Sequence, residues 1–312
     1  MRVLYSNAEL SAYLTEQLGP LPVNPSTPTA ATHRATPGIV LVPTMGALHA
    51  GHASLIRQAA SLAAQRGMLG AMATIFVNPT QFDNPADFER YPHTLEADLQ
   101  HCRAAGAAAV FVPSVTDIYP PGTPPPVPPL PTEATAPRLE DAHRAGHFAG
   151  VCQAVLRLFD LTRPAAALFG EKDWQQLQVL SAMTRTHRPH ISIYPGPTVR
   201  EHDGLAMSSR NRFLSPPDRQ RGLALSRALA DASTQSTPAT AERFMIETLA
   251  AEGITPDYAV VRDAQNLTAP TGDPSRPLRA LIAAPFGAVR LLDNMAWMPA
   301  GAVGRPAAGA RA

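Results

Sequence analysis

Cysteine is nearly absent from this sequence, and so is any excess of charge of either sign. The two cysteines, Cys102 and Cys152, each sit inside a helix-like apolar pattern and belong to no metal-type spacing. That excludes a disulfide framework and points to reduced, buried thiols. Lys and Arg total 26 against 25 Asp and Glu, a net charge of +1. Such a chain offers no general field for nucleic acid or an anionic membrane, so any anion site must be local. No apolar run reaches membrane-spanning length, Met1 to Leu14 lacks an apolar block before a small-residue cleavage site, and no internal repeat is visible. A cytoplasmic protein with no nucleic-acid and no membrane partner is expected.

What is present is length and alternation. At 312 residues, one large domain plus a smaller one is the natural expectation. Short apolar runs at Ile39–Pro43, Ala71–Val77, Val110–Pro113, Ala166–Phe169 and Ile191–Pro195 read as strands. Helical patterns lie between them: Ala53–Gln65, with Leu55, Ile56, Ala59, Leu62 and Ala63 on one face, Leu95–Ala105 after Thr94 as N-cap, and Val151–Leu161. This is the sequence form of an α/β fold, a doubly wound parallel sheet covered by crossover helices. Past about Pro197 the pattern changes. Ser215-Pro216-Pro217 opens one helix, Pro238–Glu252 forms another ended by Gly253, and strands are expected at Asp257–Arg262 and Ala288–Asp293. A smaller α+β domain follows, giving boundaries of 1–197 and 198–298 with a disordered tail at 299–312. Pro22–Pro37 and the proline-rich Tyr119–Pro137 read as loops, the latter also a conceivable docking ligand for an aromatic groove.

Ligands of doubly wound sheets sit outside the carboxyl ends of the strands. The first of these ends runs into Thr44-Met45-Gly46-Ala47-Leu48-His49-Ala50-Gly51-His52, with an amphipathic helix immediately after. Backbone N–H groups and the positive helix end attract phosphate there, Gly46 and Gly51 permit close approach, and two imidazoles add donors for a transferring phosphoryl group. The same pair also suits a metal site, which needs a third ligand, or two ordinary surface histidines. The strand Ala166–Phe169 ends in Gly170-Glu171-Lys172-Asp173, followed by a helix carrying Trp174, Gln175, Gln176 and Leu177. Lys172 is a point charge for phosphate and Asp173 an acceptor for ribose hydroxyls, or this is an exposed turn with a capping Asp. A third strand end carries the amides of Asn78 and Gln81, and Asp203–Asn211 joins Ser208, Ser209 and Arg210 beside Gly204, a segment that reads either as a piece closing over triphosphate or as a solvated loop. His143 and His147 have i, i+4 spacing, but the intervening Gly146 weakens a helical metal site.

In order and at compatible spacing, Val42–His52, Ile75–Phe82, Tyr91–Asp98, His147–Val151, Phe169–Leu177 and Pro197–Leu214 resemble the signature blocks of the pantothenate synthetase family. Arg290-Leu291-Leu292-Asp293-Asn294 resembles its C-terminal block more loosely. The resemblance implies a nucleotidyltransferase-type, Rossmann-like domain with a smaller α+β lid. It implies condensation of pantoate with β-alanine, using ATP and Mg²⁺, through a pantoyl adenylate with release of pyrophosphate and then AMP. It assigns ATP to Met45, Gly46, Ala47, Leu48, His49, Ala50, Gly51, His52, Gly170, Glu171, Lys172, Asp173, Val199, Met207, Ser208, Ser209 and Arg210. It assigns catalysis to His52, His49, Lys172 and Arg210, pantoate to Gln81 and Gln176, and β-alanine to Gln81; it also implies a homodimer. Ala50 stands where the family usually has an acidic residue. Two rival readings stand beside this one. Another nucleotidyltransferase acting on a phosphorylated acceptor would want more basic residues than Gln81 and Gln176 supply. A catalytically silent relative would have lost His52, Lys172 or Arg210, and all three are present.

Overall fold

The computed structural model describes residues 1–18, 38–82 and 85–299; the expected Pro22–Pro37 loop and the tail beyond Pro299 lie outside the described residues. The chain divides into two compact units, Met1–Glu171 with Val179–Pro197, and Lys172–Gln178 with the residues from Thr198 on.

In the first unit six parallel strands, β1 (Arg2–Leu4), β2 (Ile39–Thr44), β3 (Gly70–Ile75), β4 (Ala109–Phe111), β5 (Pro164–Gly170) and β6 (Ser192–Gly196), run in the order β1-β4-β3-β2-β5-β6. Five match the expected runs within two residues. β1 was not expected, because three residues carry no readable period and only pairing with β4 makes them a strand. Helix α1 (Asn7–Leu18) was also missed, although Leu10, Tyr13 and Leu14 bury one helical stripe. The remaining helices are α2 (Ala50–Gln65), α3 (Pro85–Glu89), α4 (Leu95–Ala104), α5 (Val115–Ile118), α6 (Glu140–His143), α7 (His147–Thr162) and α8 (Trp174–His187), the last crossing the division between the units. α2 buries Leu55, Ile56, Ala59 and Ala63 against Val40, Val42, Ala73 and Val110 of the sheet, as its 3.6-residue pattern requires.

Both cysteines are free and buried, and burial pushes each thiol up to about 12. Thr94 is the N-cap of α4 by position, but its hydroxyl makes no capping bond; it donates to Asp98 Oδ2 at 3.1 Å instead. The Tyr119–Pro137 stretch is loop apart from one 3-10 turn at Thr132–Ala134, and its Pro125 carbonyl accepts from Gln153 of α7 at 2.6 Å. The sheet fixes where a ligand belongs. From β2 the chain winds to β3 and β4 on one side, then to β5 and β6 on the other, so strand order reverses between neighbours β2 and β5.

In the second unit α9 (Pro216–Ala232) and α10 (Pro238–Ala251) pack on an antiparallel sheet of β7 (Tyr258–Asp263), β8 (Leu278–Phe286) and β9 (Val289–Trp297). Ser215 and Thr237 accept from the backbone N–H groups of Asp218 and Thr240 and thereby cap these helices, each followed by proline. Two corrections arise here. Sequence reading gave two strands; the third, β8, is central and buried from Arg279 to Ala284, so it lacks the alternation that marks a half-exposed strand. Ala288 belongs to the two-residue turn before β9, which runs on to Trp297 rather than stopping at Asp293. No helix of the described residues is long and apolar enough to cross a membrane.

Candidate active site

The turn that leaves β2 is held by its own side chains and by one acid. Gly46 and Ala47 both take left-handed backbone, with φ of 80° and 50°. This points two successive N–H groups the same way, and a carboxylate fills the concavity: Asp98 Oδ2 accepts from Ala47 N at 3.0 Å and Oδ1 from Leu48 N at 2.7 Å. Asp98 is buried, and a Cβ on Gly46 would lie 3.0 Å from its Oδ2. The Ala47 and Leu48 amides are thus already bonded, and what these two residues offer a ligand comes from other atoms. Sequence reading placed Asp98 inside a signature block without seeing this role; no local pattern links it to residues about fifty positions earlier.

Helix α2 starts at Ala50, three residues earlier than expected, which makes His49 its N-cap and His52 its third residue. The two imidazoles form a reciprocal capping box: His49 Nδ1 accepts from Gly51 N at 3.2 Å in the first turn, and His52 Nδ1 accepts from His49 N at 3.3 Å. With both Nδ1 atoms accepting, the proton of each neutral ring sits on Nε2. The rings lie 4.1 Å apart between centroids. Two imidazoles therefore stand together at a positive helix end, beside the strand-order reversal. Gly51 serves as the second residue of this helix. Among the described residues no group of three or more His, Cys, Asp or Glu could hold a metal ion.

Gln81 is brought to the same turn, its Nε2 donating to Met45 Sδ at 2.6 Å and its Oε1 accepting from Asn78 Nδ2 at 3.2 Å. Its backbone is fixed from α7. His147 Nδ1 donates to the Gln81 carbonyl at 2.9 Å, while Arg144 Nη1 lies 3.0 Å from His147 Nε2. Asn78 also reaches the Gly150 carbonyl at 3.1 Å, and a Cβ on Gly150 would lie 2.3 Å from the Thr80 carbonyl oxygen, so only glycine lets the helix approach this closely. His147, weighed from its spacing as a weak metal ligand, is a support for Gln81.

Of the other expected residues, Gly170 and Glu171 belong to the first unit and the rest to the second. Gly170 ends β5, and Glu171–Asp173 form a 3-10 turn into α8, on whose first turn Gln176 is half-buried. Lys172 Nζ lies 3.4 Å from Asp173 Oδ1. Val199 and Met207 are paired, Met207 N donating to the Val199 carbonyl at 2.9 Å across a hairpin that turns at Asp203-Gly204. Ser208 then caps a 3-10 turn, Ser209–Phe213, by accepting from Arg210 N at 3.3 Å. Val199, Met207, Ser208, Ser209 and Arg210, remote or loop-like in sequence, thus form one continuous piece. Arg219 braces it by hydrogen bonds to Glu201 and Asp203, and its guanidinium holds the Asp203 carboxyl below the usual range. Arg200 grips buried Asp293 through two bonds of 2.6 and 2.9 Å, which ties the loosely matched C-terminal block to this hairpin.

A profile of the pantoate-beta-alanine ligase family matches residues 25–296. The chain is 42% identical over 314 residues to the pantothenate synthetase of a Nocardioides species, covering 96% of this chain and 90% of that protein. It is 46% identical over 274 residues to the pantothenate synthetase of Thioalkalivibrio sulfidiphilus, covering 84% and 91%. Among solved structures, pantothenate synthetase from Thermus thermophilus aligns with a TM-score of 0.79 at 36% identity, over 95% of this chain and 99% of that one. The pantoate-beta-alanine ligase of Francisella tularensis, solved with beta-gamma ATP and beta-alanine, aligns at 0.72 and 28% identity over 95% and 97%. Strand order, the paired imidazoles after β2 and these likenesses along almost the whole length agree: the chain belongs to the pantoate-beta-alanine ligase family.

Proposed function

We propose that this ligase works in two steps, with His49, His52, Lys172 and Arg210 stabilising charge in the first and Gln81 and Gln176 holding the acid. The overall reaction is that of its family, the ATP-dependent joining of pantoate and β-alanine to give pantothenate. A carboxylate is a poor acyl donor. In the first step a pantoate carboxylate oxygen bonds to the α-phosphorus of ATP while the bond to pyrophosphate breaks, giving pantoyl adenylate. In the second, the β-alanine nitrogen bonds to the acyl carbon, loses a proton, and AMP departs.

The observation that carries this reading is the reciprocal capping box of His49 and His52 at the end of β2, which fixes two imidazoles at a helix N-terminus where strand order reverses. Gln81, tethered to Met45 of the same turn, has both a donor and an acceptor for a hydroxy acid. Lys172 and Arg210 supply positive charge for the phosphates, and the Val199–Met207 hairpin supplies backbone for the nucleotide. Mg²⁺ would come as a partner of the ATP phosphates, since such ions keep several waters and take few protein ligands. When bound it neutralises phosphate charge. We extend the proposal to a homodimer, on the family resemblance; sedimentation would read the assembly directly.

The deciding assay follows AMP and pyrophosphate with ATP, Mg²⁺, pantoate and β-alanine, leaving out each in turn. Pyrophosphate release is expected to require pantoate but not β-alanine, and AMP release to require both. Pantoate-independent pyrophosphate release would sink the adenylate route.

A further inference from the structure

Lys172 lies on a turn, yet its backbone is held by the second unit's sheet. Asn294 of β9 donates Nδ2 to the Lys172 carbonyl at 2.8 Å. Two residues on, Trp174 donates Nε1 to the Ala264 carbonyl at 2.9 Å, and the Arg279 guanidinium of β8 lies over its ring, 3.4 Å from the centroid. The same guanidinium donates Nε to Asn294 Oδ1. Arg279 is paired with Ala296 across the ladder and Asn294 with Leu281, which makes Arg279 and Asn294 diagonal neighbours on one face. Both are buried. A buried cation is kept only where partners replace water, and here stacking on an indole and a bond to an amide do so.

The circuit closes on Lys172. Its side-chain contact with Asp173 is long, 3.4 Å, so the ammonium is aimed chiefly by where its backbone stands. We propose that Asn294 is a positioning residue for Lys172, with Arg279 as its brace: the amide accepts from Arg279 on one side and holds the Lys172 carbonyl on the other. An amide is the side chain of this size that accepts and donates at once. The inference rests on the reading that Lys172 acts on the phosphates.

The test uses the full chain and measures pantoate-dependent pyrophosphate release across ATP concentrations, the KM for β-alanine, and the melting temperature. Asn294→Asp keeps an acceptor for Arg279 and loses the donor to Lys172; Asn294→Ala loses both; Asn294→Gln keeps the amide on a longer arm. Both Asp and Ala variants are expected to lower kcat for pyrophosphate release by about tenfold to a hundredfold, the scale of a misplacement near 1 Å. The KM for β-alanine stays unchanged and Gln recovers part of the rate. Wild-type kcat in Asn294→Asp overturns the proposal, as does a loss that moves the β-alanine KM equally and that Gln leaves unrescued. Lys172→Ala separates the two claims: if it keeps full pyrophosphate release, the role of Lys172 fails; if it is dead while Asn294→Asp is normal, only the positioning role fails.

Discussion

Two strand-to-helix turns, one after β2 and one after β5, solve the same problem by different means. The first is held mostly by neighbours: His49 and His52 cap each other within four residues, and a single distant group, Asp98, fills the left-handed pair Gly46-Ala47. The second is held from afar, by Asn294, which lies 122 positions along the chain from Lys172. A turn that stabilises itself leaves a motif in the sequence. A turn stabilised by a sheet leaves only a lysine between small and acidic residues.

The contrast can be broken at either turn. The largest effect is expected from Lys172→Ala, which removes a charge from the proposed phosphate site: pantoate-dependent pyrophosphate release should fall by about a hundredfold or more, near 3 kcal/mol of transition-state stabilisation. Stopped-flow detection of pyrophosphate checks it, and undiminished release ends that role. Next is Asp98→Asn. A carboxamide has one oxygen for two amide N–H donors and turns its NH₂ toward the other, so a loss of about 2–3 kcal/mol in urea unfolding is expected, together with slower adenylation as the imidazoles shift. Thr94→Ala removes a single donor from the same carboxylate and should cost about 1 kcal/mol by the same titration. Equal losses from the two substitutions would show that the carboxylate does not organise the turn.

The smallest effect lies outside both turns. Asp203, hydrogen-bonded to Arg219, has its folded value lowered, so its contribution is fully present above its unfolded value near about pH 4 and is lost as pH falls through the lowered one. The pair is on the surface of the hairpin, and Asp203→Asn should cost under about 1 kcal/mol at neutral pH. The difference in melting temperature between wild type and variant is expected to shrink to nothing on acidification; a difference that grows would reverse the sign argued here.

Much of this was legible beforehand because periodicity and capping are local. The face of α2, the cap Ser215, five of the six parallel strands and the buried cysteines all follow from which residues lie within a few positions of one another. Helix α1 was missed although its stripe is local; the other misses share a cause. β1 is a strand only because β4 lies beside it, β8 lost its alternation by being central, and Thr94 caps nothing because Asp98 takes its hydroxyl.

The sequence by itself determined the α/β class, the imidazole pair at a strand end and the family blocks, since each is written in short-range spacing. Only the tertiary structure decided that Asp98 occupies the amides of the β2 turn, that His147 supports Gln81, and that Asn294 and Arg279 hold the turn of Lys172. Apart from the Arg279–Asn294 bond between neighbouring strands, those bonds join groups from about fifty to more than a hundred positions apart, and a hydrogen bond at that range exists only once the core has brought its two ends together.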